Sequence, residues 1–385
     1  MKRCLLITTS YPTGGPAGGE AAGAFVRDFA VSLGQHVDVT VVAPAAASAT
    51  ASDGNVRVVY FPVPRMPLSL LNPLRPSDWR LIVSALRNGG AAVTHETEIL
   101  RPDHILALWT LPCGYWARQC AHDLRIPFST WALGSDIWIL GRIPIVRQVL
   151  RSTLRAAAHR YADGEQLRTD VERLSGRSCK FLASARLLSC PPRIAPATRP
   201  PYKLAFLARW HPNKGPDILI DALERLTAED WYLIEKVRIA GGGPLANLVE
   251  AGVVRLQQAG HPVELHGFMG QQEAAALLAW ADWLLIPSRI ESIPVIFSDA
   301  LQAGCAVLSN PVGDLAHLVE RLGVGFCAVA TDSIAFASVI QRGLRTAPTK
   351  FSAAIGAAGG LFNVRESARQ FARDTGLAGI EMEVS

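Results

Sequence analysis

The sequence has no uninterrupted apolar run of about 18 residues, the length that marks a membrane-spanning helix, so no membrane span is expected. It has no C-x-x-C pair. The seven cysteines (Cys4, Cys113, Cys120, Cys179, Cys190, Cys305 and Cys327) are scattered and odd in number. Neither a disulfide framework nor a zinc site is signalled, and a reducing, cytoplasmic location is the plain expectation. A P-loop and a G-x-S-x-G elbow are also missing. Nothing in the composition suggests disorder: 49% of the residues are hydrophobic and 18% are charged, which fits large buried cores. Met1 to Thr9 is apolar with two basic residues and runs into Ser10-Tyr11-Pro12 without a small-residue cleavage site, so it reads as a first buried strand.

What is there is length and asymmetry. The 385 residues suggest about two domains. The net charge of +5 divides unevenly: residues 1–200 hold 23 Lys+Arg against 14 Asp+Glu, and the rest of the chain holds 15 against 19. A basic first half suits an anionic membrane surface, an acidic acceptor or nucleic acid, or it is an ordinary set of solvated helix faces. Arg147, Arg151 and Arg155 stand four residues apart in Pro144 to Arg155, a basic stripe beside an apolar face. An interfacial helix on anionic lipid has this pattern, and so does a helix packed on its own domain with its arginines in water.

The two halves read alike. Cys4 to Thr8 and His36 to Pro44 are strands flanking a helix over Ala24 to Leu33. Tyr202 to Ala208 and Val237 to Ala240 are strands flanking a helix over Asp217 to Leu226. Strands that alternate with helices, and are apolar almost throughout, predict doubly wound parallel α/β sheets covered on both faces. Residues 190–201 hold five prolines in twelve residues, which disfavours helix or central strand. The expected organisation is a first Rossmann-like domain over 1–190, a proline-rich linker over 191–201 and a second Rossmann-like domain over 202–361. A helix and tail over 362–385 follow, able to pack back on the first domain.

The segment with the most chemistry is Pro287 to Ala300. It follows the apolar strand Trp283 to Ile286, so Glu291 falls in a strand-to-helix loop at the carboxyl end of a parallel strand, where open α/β sheets bind ligands. The turn Ser292-Ile293-Pro294-Val295 opens a helix whose N–H groups would point at a phosphate. Asp299 lies about a turn further on, able to face the same crevice. Two acids beside a phosphate site suit sugar and ribose hydroxyls, or else they are a dipole-favoured Glu and a surface Asp. The stretch Leu207 to Pro216 also joins a strand to a helix and brings Arg209 and Lys214 to the crevice edge. These two cations form a diphosphate clamp or a solvated basic loop.

Together these segments resemble the retaining GT-B glycosyltransferases with an E-x7-E signature (glycosyl transferases group 1, family 4). The matches are Ala208-Arg209-Trp210, Lys214-Gly215, Gly241-Gly242-Gly243-Pro244 and Glu291 with Asp299-Ala300. The small-residue stretches Ala303 to Val307 and Pro311 to Gly313 continue them. The resemblance implies two Rossmann-like doubly wound domains facing a cleft. It implies that Arg209 and Lys214 bind the donor's diphosphate, that Glu291 contacts the donor sugar and that Asp299, where the family has Glu, bonds the ribose. His266, in Leu265-His266-Gly267-Phe268, is either structural or part of the base pocket. In the first half, Thr8 to Pro12 with the following glycines, then Gly23-Ala24-Phe25-Val26-Arg27, resemble the family's first loop and helix start. Leu108 to Gly114 and Trp131-Ala132-Leu133-Gly134-Ser135-Asp136 resemble two further loops, with Leu106 and Leu133 where histidines are common. Gly134 and Asp136 are therefore donor-side candidates, Asp136 touching sugar or acceptor, or capping a helix.

The resemblance implies transfer of a sugar from a nucleotide-sugar donor to an acceptor hydroxyl with retention. A cell-surface or lipid-linked saccharide is the expected acceptor, and the enzyme is expected to be cytoplasmic or peripheral on the inner membrane face. There is no D-x-D triplet, the metal-chelating device of the other main glycosyltransferase fold, and no metal is expected. No cofactor beyond the nucleotide-sugar substrate and no nucleic-acid partner are expected. With Leu133 in place of His, no enzyme base is visible, and the leaving phosphate would take the acceptor proton. Two other readings stay open: a nucleotide-sugar epimerase, and a degenerate, non-catalytic binding or partner protein.

Overall fold

The computed structural model of the chain describes residues 1–12, 20–66, 68, 71–72, 75–191 and 196–378. It divides into two units: Met1–Ser184 with Val364–Ser385, and Ala185–Asn363. The chain passes from one unit to the other at Ser184 and Ala185, ahead of the proline-rich segment 191–201, of which residues 192–195 lie outside the described residues.

In the first unit the order is β1 (Arg3–Ile7), α1 (Glu20–Leu33), β2 (Asp38–Ala45), β3 (Ala49–Asp53), β4 (Val56–Pro62), α2 (Trp79–Leu100), β5 (His104–Leu108) and α3 (Cys113–Leu124). There follow β6 (Phe128–Ala132), α4 (Ser135–Trp138), α5 (Pro144–Ala156), β7 (His159–Ala162), α6 (Glu165–Ser175) and β8 (Lys180–Phe181). The sheet runs β3-β4-β2-β1-β5-β6-β7-β8, parallel except for the β3–β4 hairpin. Its central strands have no polar face: Leu5, Leu6, Ile7, Ile105 and Leu106 are all buried, as a sheet covered on both sides requires.

The second unit holds β9 (Tyr202–Arg209), α7 (Pro216–Glu224), α8 (Ala228–Tyr232), β10 (Ile234–Gly242), α9 (Ala246–Gln258), β11 (Val263–His266) and α10 (Gln271–Trp280). It continues with β12 (Trp283–Ile286), α11 (Val295–Gln302), β13 (Ala306–Ser309), α12 (Leu315–Leu322), β14 (Gly325–Cys327), α13 (Ser333–Leu344) and α14 (Ser352–Ala358). All six strands pair in parallel, in the order β11-β10-β9-β12-β13-β14. From β9 the chain winds first through β10 to β11 and then, on the other side, through β12 to β14. The strand order therefore reverses between β9 and β12, and the loops at their carboxyl ends flank the position where doubly wound sheets take ligands.

The last helix, α15 (Val364–Asp374), returns to the first unit. Val364, Ala368, Phe371 and Ala372 form one buried stripe at helical spacing. Phe371 packs its ring edge-on against Phe29, Tyr161 and His104, and Ser367 Oγ donates to the Ala183 carbonyl at 2.9 Å. Among the described residues no helix is long and apolar enough to cross a membrane.

His104 is buried beneath α15 with its Nε2 2.8 Å from Ser129 Oγ. Burial, and then the neighbouring His159, push its pKa down to about 3. The unfolded chain would protonate this ring near pH 6.5 while the fold holds it neutral, so its contribution to stability is present above that pH and is lost as pH falls. As pH falls from about 6.5 towards 3, this group alone should cost on the order of 1 kcal/mol per pH unit. Urea unfolding of the wild type and His104→Asn from pH 7.5 to 5 should show a smaller loss for the variant, and equal losses would contradict this.

Candidate functional site

The site is built where the loops after β9 and β12 meet. The first runs from Arg209, the last residue of β9, through a single 3-10 turn over Pro212–Lys214 to Gly215. Pro216 then starts α7, where its missing N–H costs nothing. The second loop runs from Pro287 to Pro294, which caps α11, so the helix itself begins at Val295.

The two loops touch through their backbones. The Asn213 carbonyl accepts the N–H of Arg289 at 2.7 Å and that of Ile290 at 3.4 Å. Gly215 has φ +64°, and a Cβ there would lie 2.1 Å from the Pro287 carbonyl oxygen. Only glycine supplies both the left-handed backbone and the missing side chain. A third loop, between β13 and α12, closes on the second. A Cβ at Gly313 would lie 2.3 Å from the carbonyl oxygens of both Glu291 and Ser292. The Asn310 Nδ2 donates to the Pro287 carbonyl at 2.9 Å, and the Asp314 N–H to the Ser292 carbonyl at 3.2 Å.

This framework sets the charges. Lys214 Nζ donates to Glu291 Oε1, and Ser288 Oγ donates to the same oxygen at 3.2 Å. Arg209 is half-buried one strand end away, and burial lowers its pKa. Ser292 is buried, and its Oγ has no hydrogen-bond partner among the described residues. A buried hydroxyl of this kind suits an added polar group at the site. Ile293 is buried, and Val295 opens the helix. His266 ends β11 with its Nε2 3.6 Å from Glu264 Oε2.

Asp299 is placed differently from the expectation that it faces the crevice. Its carboxylate is fully buried and pairs with Arg186, from the segment just after the unit boundary. Gln302, on the same helix, accepts the Leu188 N–H at 3.3 Å and donates to the Arg186 carbonyl at 3.1 Å. A buried carboxylate needs such a partner.

The first-unit candidates are drawn inward as well. Asp136 is buried, and its Oδ2 accepts the Thr110 N–H at 2.6 Å while its Oδ1 accepts the Leu133 N–H at 3.3 Å. Burial raises its pKa, and these N–H groups act the other way. Its observed work is to tie the loop after β5 to the loop after β6, not to cap α4, whose N-cap is Gly134. Gly23 lies within α1, and a Cβ there would come 2.7 Å from the Tyr11 Cα, so its lack of a side chain lets α1 pack on the Tyr11 backbone. Gly14, Gly15, Gly18 and Gly19 of the same loop lie outside the described residues.

Ser288, Arg289, Asp217 and Arg186 complete the arrangement and were not singled out from the sequence. Ser288 and Arg289 sit within the Glu291 segment, and Asp217 is the acid in the first turn of α7. Arg186 carries no sequence signal, since it meets Asp299 across 113 positions.

Gly215→Ala should destabilise the chain clearly more than Gly260→Ala. Both positions have positive φ, but a Cβ at Gly260 meets nothing within 4 Å. The Gly260 change should cost about 1–2 kcal/mol. Equal costs in chemical denaturation would contradict the close approach of the two loops.

Known proteins resemble this chain in sequence over its second half and in fold over nearly all of it. Residues 201–346 match the family model of glycosyl transferases group 1. A D-inositol 3-phosphate glycosyltransferase of Jonesia denitrificans is 28% identical over 175 residues, 44% of this chain and 40% of the relative. The putative colanic acid biosynthesis glycosyltransferase WcaL of Escherichia coli is 30% identical over 152 residues, 38% of this chain and 36% of the relative. The matched part thus spans well under half of either relative. Among solved structures, sucrose-phosphate synthase from Thermosynechococcus elongatus aligns with TM-score 0.75 at 16% identity, covering 97% of this chain and 98% of that one. Anabaena HepE, solved in complex with UDP-glucose, aligns with TM-score 0.69 at 18% identity, covering 98% and 100%. At such identities the likeness is one of fold, and that fold is GT-B. The segment that builds the site, residues 201–346, is a glycosyl transferases group 1 domain.

Proposed function

We propose that the chain transfers a sugar from a nucleoside diphosphate donor to an acceptor hydroxyl, with retention of configuration and without a metal ion. The observation that carries this reading is the Lys214–Glu291 pair at the reversal of strand order, with Arg209 ending the adjoining strand. In this reading Lys214 and Arg209 take the diphosphate, and Glu291 turns to the sugar hydroxyls. The positive end of α11 near Ile293 and Val295 adds to the field on the phosphate. Charge that builds on the leaving diphosphate is thereby stabilised. As the sugar–phosphate bond breaks, the acceptor oxygen bonds to the anomeric carbon and its proton passes to the leaving phosphate oxygen.

UDP-sugars are the first donors to try, since HepE was solved with UDP-glucose. Lys214→Ala and Arg209→Ala should each lower turnover by about a hundredfold or more, and a variant that kept full turnover would sink the assignment. Incubation with donor alone separates transfer from epimerisation: a changed sugar without an acceptor means epimerase. Tight donor binding with neither transfer nor hydrolysis means a non-catalytic relative.

The acceptor we propose is a lipid-linked or cell-surface saccharide, met at an anionic membrane. On α5, Arg147 and Arg151 are exposed and Ile145 is 80% exposed, a basic face with an apolar foot. Arg155 instead turns its Nε to the Ser175 carbonyl at 3.0 Å. Phosphatidylglycerol vesicles should retain the protein at low salt and release it at high salt. Arg147→Glu with Arg151→Glu should abolish retention, and equal retention of this variant would exclude the α5 face.

A further inference from the structure

Arg289 lies beside the groups assigned to the donor but makes none of their contacts. Its Nη1 donates to Asp217 Oδ1 at 2.7 Å and its Nη2 to Asp217 Oδ2 at 2.6 Å. The same Nη1 donates to the Pro212 carbonyl at 2.9 Å, and the Arg289 backbone N–H donates to the Asn213 carbonyl at 2.7 Å. One residue of the β12–α11 loop thus grips the chain on both sides of Lys214. Asp217 suits this place because it lies in the first turn of α7, where the helix dipole favours an acid. The Arg289 hydrogen bonds draw its carboxyl below the usual range.

Among the described residues, two ion pairs join the segment 209–217 to the segment 287–294: Lys214 with Glu291, and Arg289 with Asp217. Under the proposed function the first must open, because Lys214 turns to the diphosphate and Glu291 to the sugar. The second uses neither group and can persist. We infer that Arg289 is a positioning residue, whose fork on Asp217 and Pro212 holds Lys214 and Glu291 at working separation while their own pair is exchanged for the donor. Lysine cannot substitute, since one ammonium cannot reproduce the planar fork. Both side chains are about one third exposed, and exposed pairs add little to global stability. Loss of the pair should therefore show in nucleotide binding while leaving unfolding almost unchanged, a separation that a purely structural role would not produce.

The inference rests on the proposed function, and its test keeps the two apart. Calorimetric titration of the full chain with UDP, GDP and ADP, beside thermal unfolding, would compare wild type with Arg289→Ala, Arg289→Lys, Asp217→Ala and the double Arg289→Ala/Asp217→Ala. Each single change should weaken binding by about tenfold to a hundredfold, with the lysine variant no better than alanine. The double should lose no more than Arg289→Ala alone, because without the guanidinium Asp217 has no fork left to hold. Should Arg289→Ala fail to fold, Asp217→Ala carries the same expectation. Wild-type binding with unchanged binding by Arg289→Ala or Asp217→Ala overturns this inference alone, and so do losses that add in the double. A wild type that binds none of the three diphosphates overturns the proposed function, and this inference with it.

Discussion

The second unit depends on one close approach, that of the Gly215 backbone to the carbonyl of Pro287. It brings the carboxyl ends of β9 and β12 together without an intervening side chain. The Asn213 carbonyl can then take the N–H of Arg289, and Lys214 and Glu291 lie within ion-pair reach. The Gly313 approach to Glu291 and Ser292 does the same for the neighbouring loop. The charges are thus set by contacts between backbones, which lose less order than pairs of long, exposed side chains.

The two acids of the Glu291 segment have separate roles because the helix turns them to different surroundings. Glu291 stands in the loop, half-buried, where Lys214 and Ser288 reach it. Asp299 stands one turn into α11, fully buried, and its charge is met by Arg186. A net charge in the interior is costly, so this pairing binds the start of the second unit to the helix that opens at the site. In the first unit Asp136 follows the same logic with neutral donors, using two backbone N–H groups to hold two loops together.

The parallel α/β layout, the strands and the place of Glu291, Arg209 and Lys214 were legible in the sequence. Local signals carry them: apolar runs such as Leu5 to Ile7, a proline at a helix start, and cations or acids at strand ends. Boundaries were less legible. The break between units falls at Ser184 and Ala185, not at the prolines, because Arg186 and Leu188 bond to α11 and so belong with the second unit. Asp299 and Asp136 matched a pattern of residue types, yet a pattern does not say which way a side chain turns.

The sequence by itself determined which segments become strands and helices, and hence which loops lie at the carboxyl edge of each sheet, because periodicity and turn chemistry are local. Only the tertiary structure decided which of the charged residues on those loops meet one another. Lys214 with Glu291, Arg289 with Asp217, and Arg186 with Asp299 are separated by 77, 72 and 113 positions. Such pairs form when strand order and glycine contacts bring distant loops together and burial selects which charges must be matched.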